Sequence, residues 1–319
     1  MRRYLPPVVA LAVTFTAVVM TLTTDVIGTV GGLYAFLIVG AGAGTTLLLF
    51  LLAFVGRDER PVWPSLALGG LVIPFVVIIA GLVLFYPLLA LADVVVEWIE
   101  SSSFDLGRTI EPWALALIVE LAVLPPLVEE FLKPFGSILR RPKTRRDAFM
   151  FGAAAGIGFA IIENFLYASG GVLGIDWLAI SMTRMVSVAL HPFGAALIAV
   201  AVFERRNIIR SYGIAVATHA LWNGSVAVTI VAFSEEGLYA DNLVWGVAMF
   251  GLLTMIGTVI LVGFLSLAVA IRDNHQVRFL AVLDRLDQPQ GIGALAVIAT
   301  AVACPFAVAM LAFPNFLSL

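Results

Sequence analysis

The chain has 319 residues, 61% of them hydrophobic and only 12% charged, with a mean hydropathy of +1.07. Soluble domains run nearer ~25% charged, so an ordinary soluble enzyme is excluded, and apolar runs of about 20 residues exclude a transmembrane barrel built from short alternating strands. A net charge of -3 leaves no basic field for nucleic acid, and a lone cysteine, Cys304 in an apolar run, forms no intrachain disulfide and reads as a packed, inert thiol.

In chain order, apolar runs separated by charged breaks predict nine transmembrane helices, near 5–26, 30–55, 65–86, 113–139, 148–170, 181–203, 211–233, 242–271 and 292–317. The chain therefore reads as one all-α, polytopic membrane helix bundle over 1–319, with a catalytic core at 113–233 flanked by 1–98 and 242–319. The first run follows Arg2 and Arg3 and is long, with no small-x-small cleavage site after it, so a retained helix is expected rather than a signal peptide.

Alternate connections hold 15 of the 18 Lys and Arg residues, among them Arg140, Arg141, Lys143, Arg145 and Arg146, then Arg205, Arg206 and Arg210. The opposite loops carry Arg108 among Glu97, Glu100, Asp105, Glu111, Asp176, Glu235, Glu236 and Asp241. Because short basic loops stay on the cytoplasmic side, the N-terminus is expected inside and the C-terminus outside. Segments 87–100 and 277–286 have amphipathic spacing and are expected to lie on the outer and inner surfaces.

Ionisable groups concentrate in the fourth to seventh spans. They are Glu129, Glu130 and Lys133; Glu163 beside Asn164; His191; and His219 one turn before Asn223. Each charge near the bilayer centre costs at least ~2.5–3.5 kcal/mol on insertion scales, so each is a functional candidate. A rise of about 1.5 Å per residue puts Glu129, Glu163, His191 and His219 roughly 12–22 Å from the cytoplasmic ends of their helices, in one layer. Gly152, Gly156, Phe159 and Glu163 share a helical stripe that favours close packing, while Pro125, Pro126, Pro134 and Pro192 favour kinks around a polar cavity.

Bland readings exist for each group. Lys133 can pair with either glutamate, but one lysine cannot neutralise both. His219 and Asn223 can bond between helices as glue. Amide hydrolysis uses the set more fully: a carboxylate takes a water proton, and His219 with Asn223 aims two donors at one oxyanion. No serine nucleophile motif, H-E-x-x-H or Gly-Asp pair competes, so water is the expected nucleophile. A proton-coupled transporter and a catalytically silent scaffold are the alternatives.

The E-E-x-x-K at Glu129 to Lys133, the F-x-x-x-E-N at Phe159 to Asn164, His191 and the H-x-x-x-N at His219 and Asn223 resemble the PrsW family of intramembrane proteases. H-x-x-x-N is also similar to the wider superfamily that includes the type II CAAX prenyl endopeptidases. There a histidine stands where this chain has Glu163, a departure that favours PrsW. The resemblance covers 129–223, about a third of the chain, with four motifs in order on successive spans.

That resemblance implies a protease of prokaryotic cell membranes that cleaves single-span, membrane-anchored regulators such as anti-sigma factors. By the prenyl-protease likeness, Glu129 is the general base with Glu130 or Glu163 as partner, and Lys133 and Asn164 support the site. A metal-free, glutamate-dependent site is the favoured expectation. The alternative is a divalent metal such as zinc held by Glu129, Glu163, His191 and His219. Because an intact helix hides its carbonyls, the expected cleavage lies near a span end or at a Gly- or Pro-weakened turn, reached from the extracytoplasmic side.

Overall fold

The computed structural model describes residues 44, 47, 48, 50–52, 54, 55, 62–83, 94, 121–171, 176–233 and 243–273, which form helices and turns with no strand among them. Seven helical elements follow in order: α1 (Trp63–Val83), α2 (Leu124–Leu132), α3 (Phe135–Ile138), α4 (Arg145–Gly171), α5 (Asp176–Glu204), α6 (Ile208–Phe233) and α7 (Leu243–Asp273). They correspond to the third to eighth predicted spans. By length and composition, Trp63–Val83 and Gly251–Asp273 are long and apolar enough to cross a membrane. The predicted spans at 5–26 and 292–317, the piece at 277–286 and Cys304 lie outside the described residues. Of 87–100 only Val94 is described, an exposed helical residue.

The fourth predicted span is broken into two helices, and prolines explain both ends of the break. Pro125 and Pro126 fall in the first turn of α2, where a missing N–H is tolerated. Pro134 has no N–H for the Glu130 carbonyl, so α2 ends at Leu132 and the chain restarts as α3. At the start of α4, Thr144 Oγ1 accepts from Asp147 N at 3.0 Å while Asp147 Oδ2 accepts from Thr144 N at 3.1 Å, a reciprocal cap.

α4 lies at the centre and packs most extensively on α5. A Cβ at Gly152 would sit 2.8 Å from the Ala195 carbonyl oxygen, and one at Gly156 would collide with the backbone of His191 and Pro192. The glycine stripe expected to permit close packing thus does so against the stretch of α5 that carries His191. On the other flank, Gly69 meets the Ala155 carbonyl and Gly158 the Leu66 carbonyl, fixing α1 against α4. α1 contains one wider π-helical turn, Leu68–Val72, at this contact. Apolar cores seal the bundle: Phe149 stacks on Phe264 at 5.8 Å, and Leu190, Trp222, Leu253, Ile256 and Ile260 join α5, α6 and α7.

The charged ends of the helices meet at one pole. Arg145 Nε lies 2.6 Å from Glu204 Oε1, tying the start of α4 to the end of α5, and Arg146 Nη2 donates to the Arg272 carbonyl at the end of α7. Arg205 and Asn207 take left-handed backbone angles in the tight turn between α5 and α6, and Arg206 N closes on the Ala201 carbonyl as a helix stop. Away from that pole, Leu71, Phe75, Ile79 and Val83 make an exposed apolar stripe along α1. Such a stripe suits lipid rather than water.

Candidate active site

Four helices converge on one buried polar cluster. α2 and its C-terminal cap supply Glu129, Glu130 and Lys133; α4 supplies Phe159 and Glu163; α5 supplies His191; α6 supplies His219 and Asn223. All six residues expected to be catalytic are within it. Glu129, Glu163 and Asn223 are 5%, 8% and 9% exposed, whereas Glu130, Lys133 and both histidines are at 1% or less, so the first three mark its more open edge.

Lys133 is the hub. Its Nζ lies 2.8 Å from Glu130 Oε1, 2.9 Å from Glu129 Oε2 and 2.6 Å from His191 Nδ1, and stands 4.4 Å from the centre of the Phe159 ring. The bland reading, a simple ion pair between Lys133 and one glutamate, does not describe this arrangement, since Lys133 joins both and a histidine besides. Phe159 offers its ring face to the ammonium and packs 5.3 Å from the His191 ring. That contact gives the aromatic position of F-x-x-x-E-N a physical role.

Proton positions follow from what each partner can do. An ammonium only donates, so His191 Nδ1 accepts from Lys133, and Nε2 faces Glu163 Oε2 across a 2.7 Å ion-pair contact. An ionised carboxylate only accepts, so His219 Nδ1 donates to Glu130 Oε1 at 2.9 Å, and its Nε2 accepts from Asn223 Nδ2 at 3.2 Å. Glu130 Oε1 thus receives two donors. Glu129 has Lys133, and beyond it His219 Nε2 at 3.9 Å. The histidine rings stand edge to face, 5.2 Å apart.

Residues outside the expected set also shape the cluster. Gly194, one turn after His191, makes room for Glu130, because a Cβ there would collide with Glu130 Oε2. Its only sequence signal is its place three residues past a buried histidine. Tyr212 Oη donates to the Leu127 carbonyl at 2.8 Å, and Asn223 Nδ2 to the Leu121 carbonyl at 3.0 Å, so α6 holds backbone groups in and just before α2 as well as side chains. Asn164 is buried beside Glu163, but its Oδ1 has no hydrogen-bond partner among the described residues, so no bond joins that oxygen to the cluster.

Glu129, His191 and His219 each offer one ligand atom, all within 4.8 Å of one another. Two imidazoles and a carboxylate are a donor set that a catalytic zinc accepts, so these residues fit a divalent metal in number and type. Glu163, expected as a fourth ligand, is outside this trio and instead holds Nε2 of His191.

The family model for PrsW family intramembrane metalloproteases matches residues 65–263. The chain belongs to this family. It is accordingly an intramembrane peptidase and a membrane protein, and the match extends beyond the four motifs to include α1 and part of α7. No curated protein and no solved structure matches the chain. In this PrsW-family protease the metalloprotease description and the Glu129, His191 and His219 trio point the same way, toward the metal alternative of the sequence reading.

Proposed function

We propose that this protease hydrolyses peptide bonds of single-span, membrane-anchored proteins, with a water molecule as nucleophile and Glu129 as its base. One observation carries this reading: three carboxylates, two imidazoles, an ammonium and an amide from four helices meet in a single buried site within an apolar bundle. Of the glutamate pair, Glu129 is nearer the open edge, while Glu130 Oε1 is committed to both Lys133 and His219. Glu129 takes the proton of water, and Lys133, 2.9 Å away, keeps its carboxylate turned to the site. Asn223 presents an amide hydrogen to the developing oxyanion beside His219, in place of its long 3.2 Å contact with Nε2.

Glu129, His191 and His219 would hold a divalent metal, and bound there it supplies a Lewis acid for the carbonyl and the water. Metal binding would reassign Glu129 and His219 from base and oxyanion side to ligands. Metal content in the purified protein separates the two assignments.

The topology we favour has nine spans, the N-terminus inside and the basic pole in the cytoplasm, consistent with Arg145, Arg146 and Arg272 gathering at one end. Substrates of this kind, anti-sigma-factor-like by family resemblance, are engaged from the extracytoplasmic side and cut near a span end, where fewer carbonyls are locked in helix bonds. The test is to reconstitute the protein in vesicles with a single-span reporter bearing a glycine-weakened outer end and to map the cleaved bond. Cleavage there by the wild type and none by Glu129→Gln is expected. A bond cut on the cytoplasmic side, equal activity on soluble unfolded protein, or turnover by Glu129→Gln would overturn the reading.

A further inference from the structure

We propose that Pro125 is a positioning residue for hydrolysis: by withholding an N–H from the Leu121 carbonyl, it leaves that oxygen to hold the Asn223 amide in place. The inference rests on Asn223 serving the oxyanion, as argued above, and adds what orients it.

Leu121 and Ala122 are helical and are followed by the turn at Val123, where φ is -110° and ψ is -59°. In an uninterrupted helix the N–H of residue 125 would bond to the Leu121 carbonyl. Residue 125 is proline and has none. A carbonyl at such a break needs another donor, and Asn223 Nδ2 supplies it at 3.0 Å. α6 runs alongside at this point: a Cβ at Gly224 would lie 3.4 Å from the Ala122 Cβ, an ordinary packing contact.

The consequence lies in the sense of the amide. Asn223 Nδ2 faces both Leu121 O and His219 Nε2, so rotating the amide by half a turn would present its oxygen to both. A neutral histidine nitrogen tolerates either partner according to its tautomer, but a backbone carbonyl accepts and never donates. Leu121 O therefore selects the orientation that points N–H groups, rather than an oxygen lone pair, at the oxyanion side. Of the two amide hydrogens, one is spent on Leu121, and the other, resting on His219 Nε2, is the one that turns to the oxyanion. The proline that opens the helix and the asparagine that serves the oxyanion are thus parts of one device.

Pro125→Ala restores the N–H, and it is to be compared with Pro126→Ala, Asn223→Ala and the Pro125→Ala/Asn223→Ala double variant. The probe is the glycine-weakened single-span reporter in phosphatidylethanolamine and phosphatidylglycerol vesicles, with kcat and KM measured separately. Pro125→Ala is expected to lower kcat toward the ~10²–10³-fold loss of a missing oxyanion donor with KM little changed. The double variant should be no slower than Asn223→Ala, and Pro126→Ala should keep the wild-type kcat. Thermal unfolding of the purified protein reads the hydrogen bond without any substrate: Asn223→Ala should lower Tm less when residue 125 carries an N–H, because the Leu121 carbonyl then keeps a partner. Equal Tm losses in both backgrounds, or a wild-type kcat in Pro125→Ala while Asn223→Ala is slow, overturn this inference alone. A wild-type kcat in Asn223→Ala overturns it together with the oxyanion reading beneath it.

Discussion

Lys133 Nζ lies 2.6 Å from His191 Nδ1, joining the C-terminal end of α2 to the middle of α5 across 58 positions of sequence. The same ammonium bridges Glu129 and Glu130, so one residue sets the spacing of a carboxylate pair and the tautomer of a histidine. Removing one member of a buried charge set typically costs ~3–5 kcal/mol, because the partners stay buried and unpaired. Lys133→Met should therefore lower the unfolding midpoint sharply and abolish cleavage. Lys133→Arg keeps the charge but brings a wider head into a position with no exposure, and should be inactive as well. A Lys133→Met protein that melts like the wild type would refute the hub.

The two glutamates should part company when each is made an amide. Glu129→Gln keeps shape and loses the base, so it should fold and melt near the wild-type temperature while turnover disappears. Glu130→Gln presents an amide where Lys133 and His219 both donate, and charge-assisted hydrogen bonds contribute about 1.5–3 kcal/mol each. Its melting temperature should fall further than that of Glu129→Gln. The reverse ranking in thermal melts, or cleavage surviving in Glu129→Gln, would exchange their roles.

Gly194→Ala tests the packing behind the site. The added methyl would collide with Glu130 Oε2, an atom fixed from the other side by the bonds of Oε1 to Lys133 and His219. Cleavage should fall by at least tenfold, about the rate change that a 1.4 kcal/mol rise in the barrier produces. Gly213→Ala is the control, since a Cβ there meets nothing within 4 Å and the substitution favours helix by about 0.5–1 kcal/mol. A fully active Gly194→Ala would mean that Glu130 has slack the structure does not show.

Metal content is read by elemental analysis of purified protein, before and after dialysis against chelator. If Glu129, His191 and His219 hold a divalent ion, one equivalent should be present in the wild type and lost in both His191→Ala and His219→Ala. Loss should also lower the unfolding temperature, because an ion bound to the folded form stabilises it by mass action. Full activity with no bound metal would leave the glutamate-dependent assignment standing.

Much of the chemistry was legible in sequence because hydrocarbon is an unforgiving solvent. Glu129, Glu163, His191, His219 and Asn223 stand out only because their surroundings are apolar, and the helical rise alone put the four ionisable ones among them in one layer. The same reasoning made Gly152 and Gly156 a packing stripe, as α4 and α5 bear out. It was less able to apportion partners. Spacing showed that Lys133 can reach either glutamate but not that it joins both and His191, and Glu163, a ligand in the metal alternative, pairs with His191.

By itself, the amino-acid sequence determined the helical class and the helices that carry the charges, because both depend on local periodicity and the cost of burying charge in an apolar phase. Only the tertiary structure decided which atoms face one another. The rotation of each helix about its axis is set by close contacts such as Gly156 against His191 and Gly194 against Glu130, and those contacts join residues far apart in the chain. The bond from Asn223 to the Leu121 carbonyl, 102 positions away, shows why. A proline announces a carbonyl without its helix partner, but which side chain reaches it depends on how two helices pack.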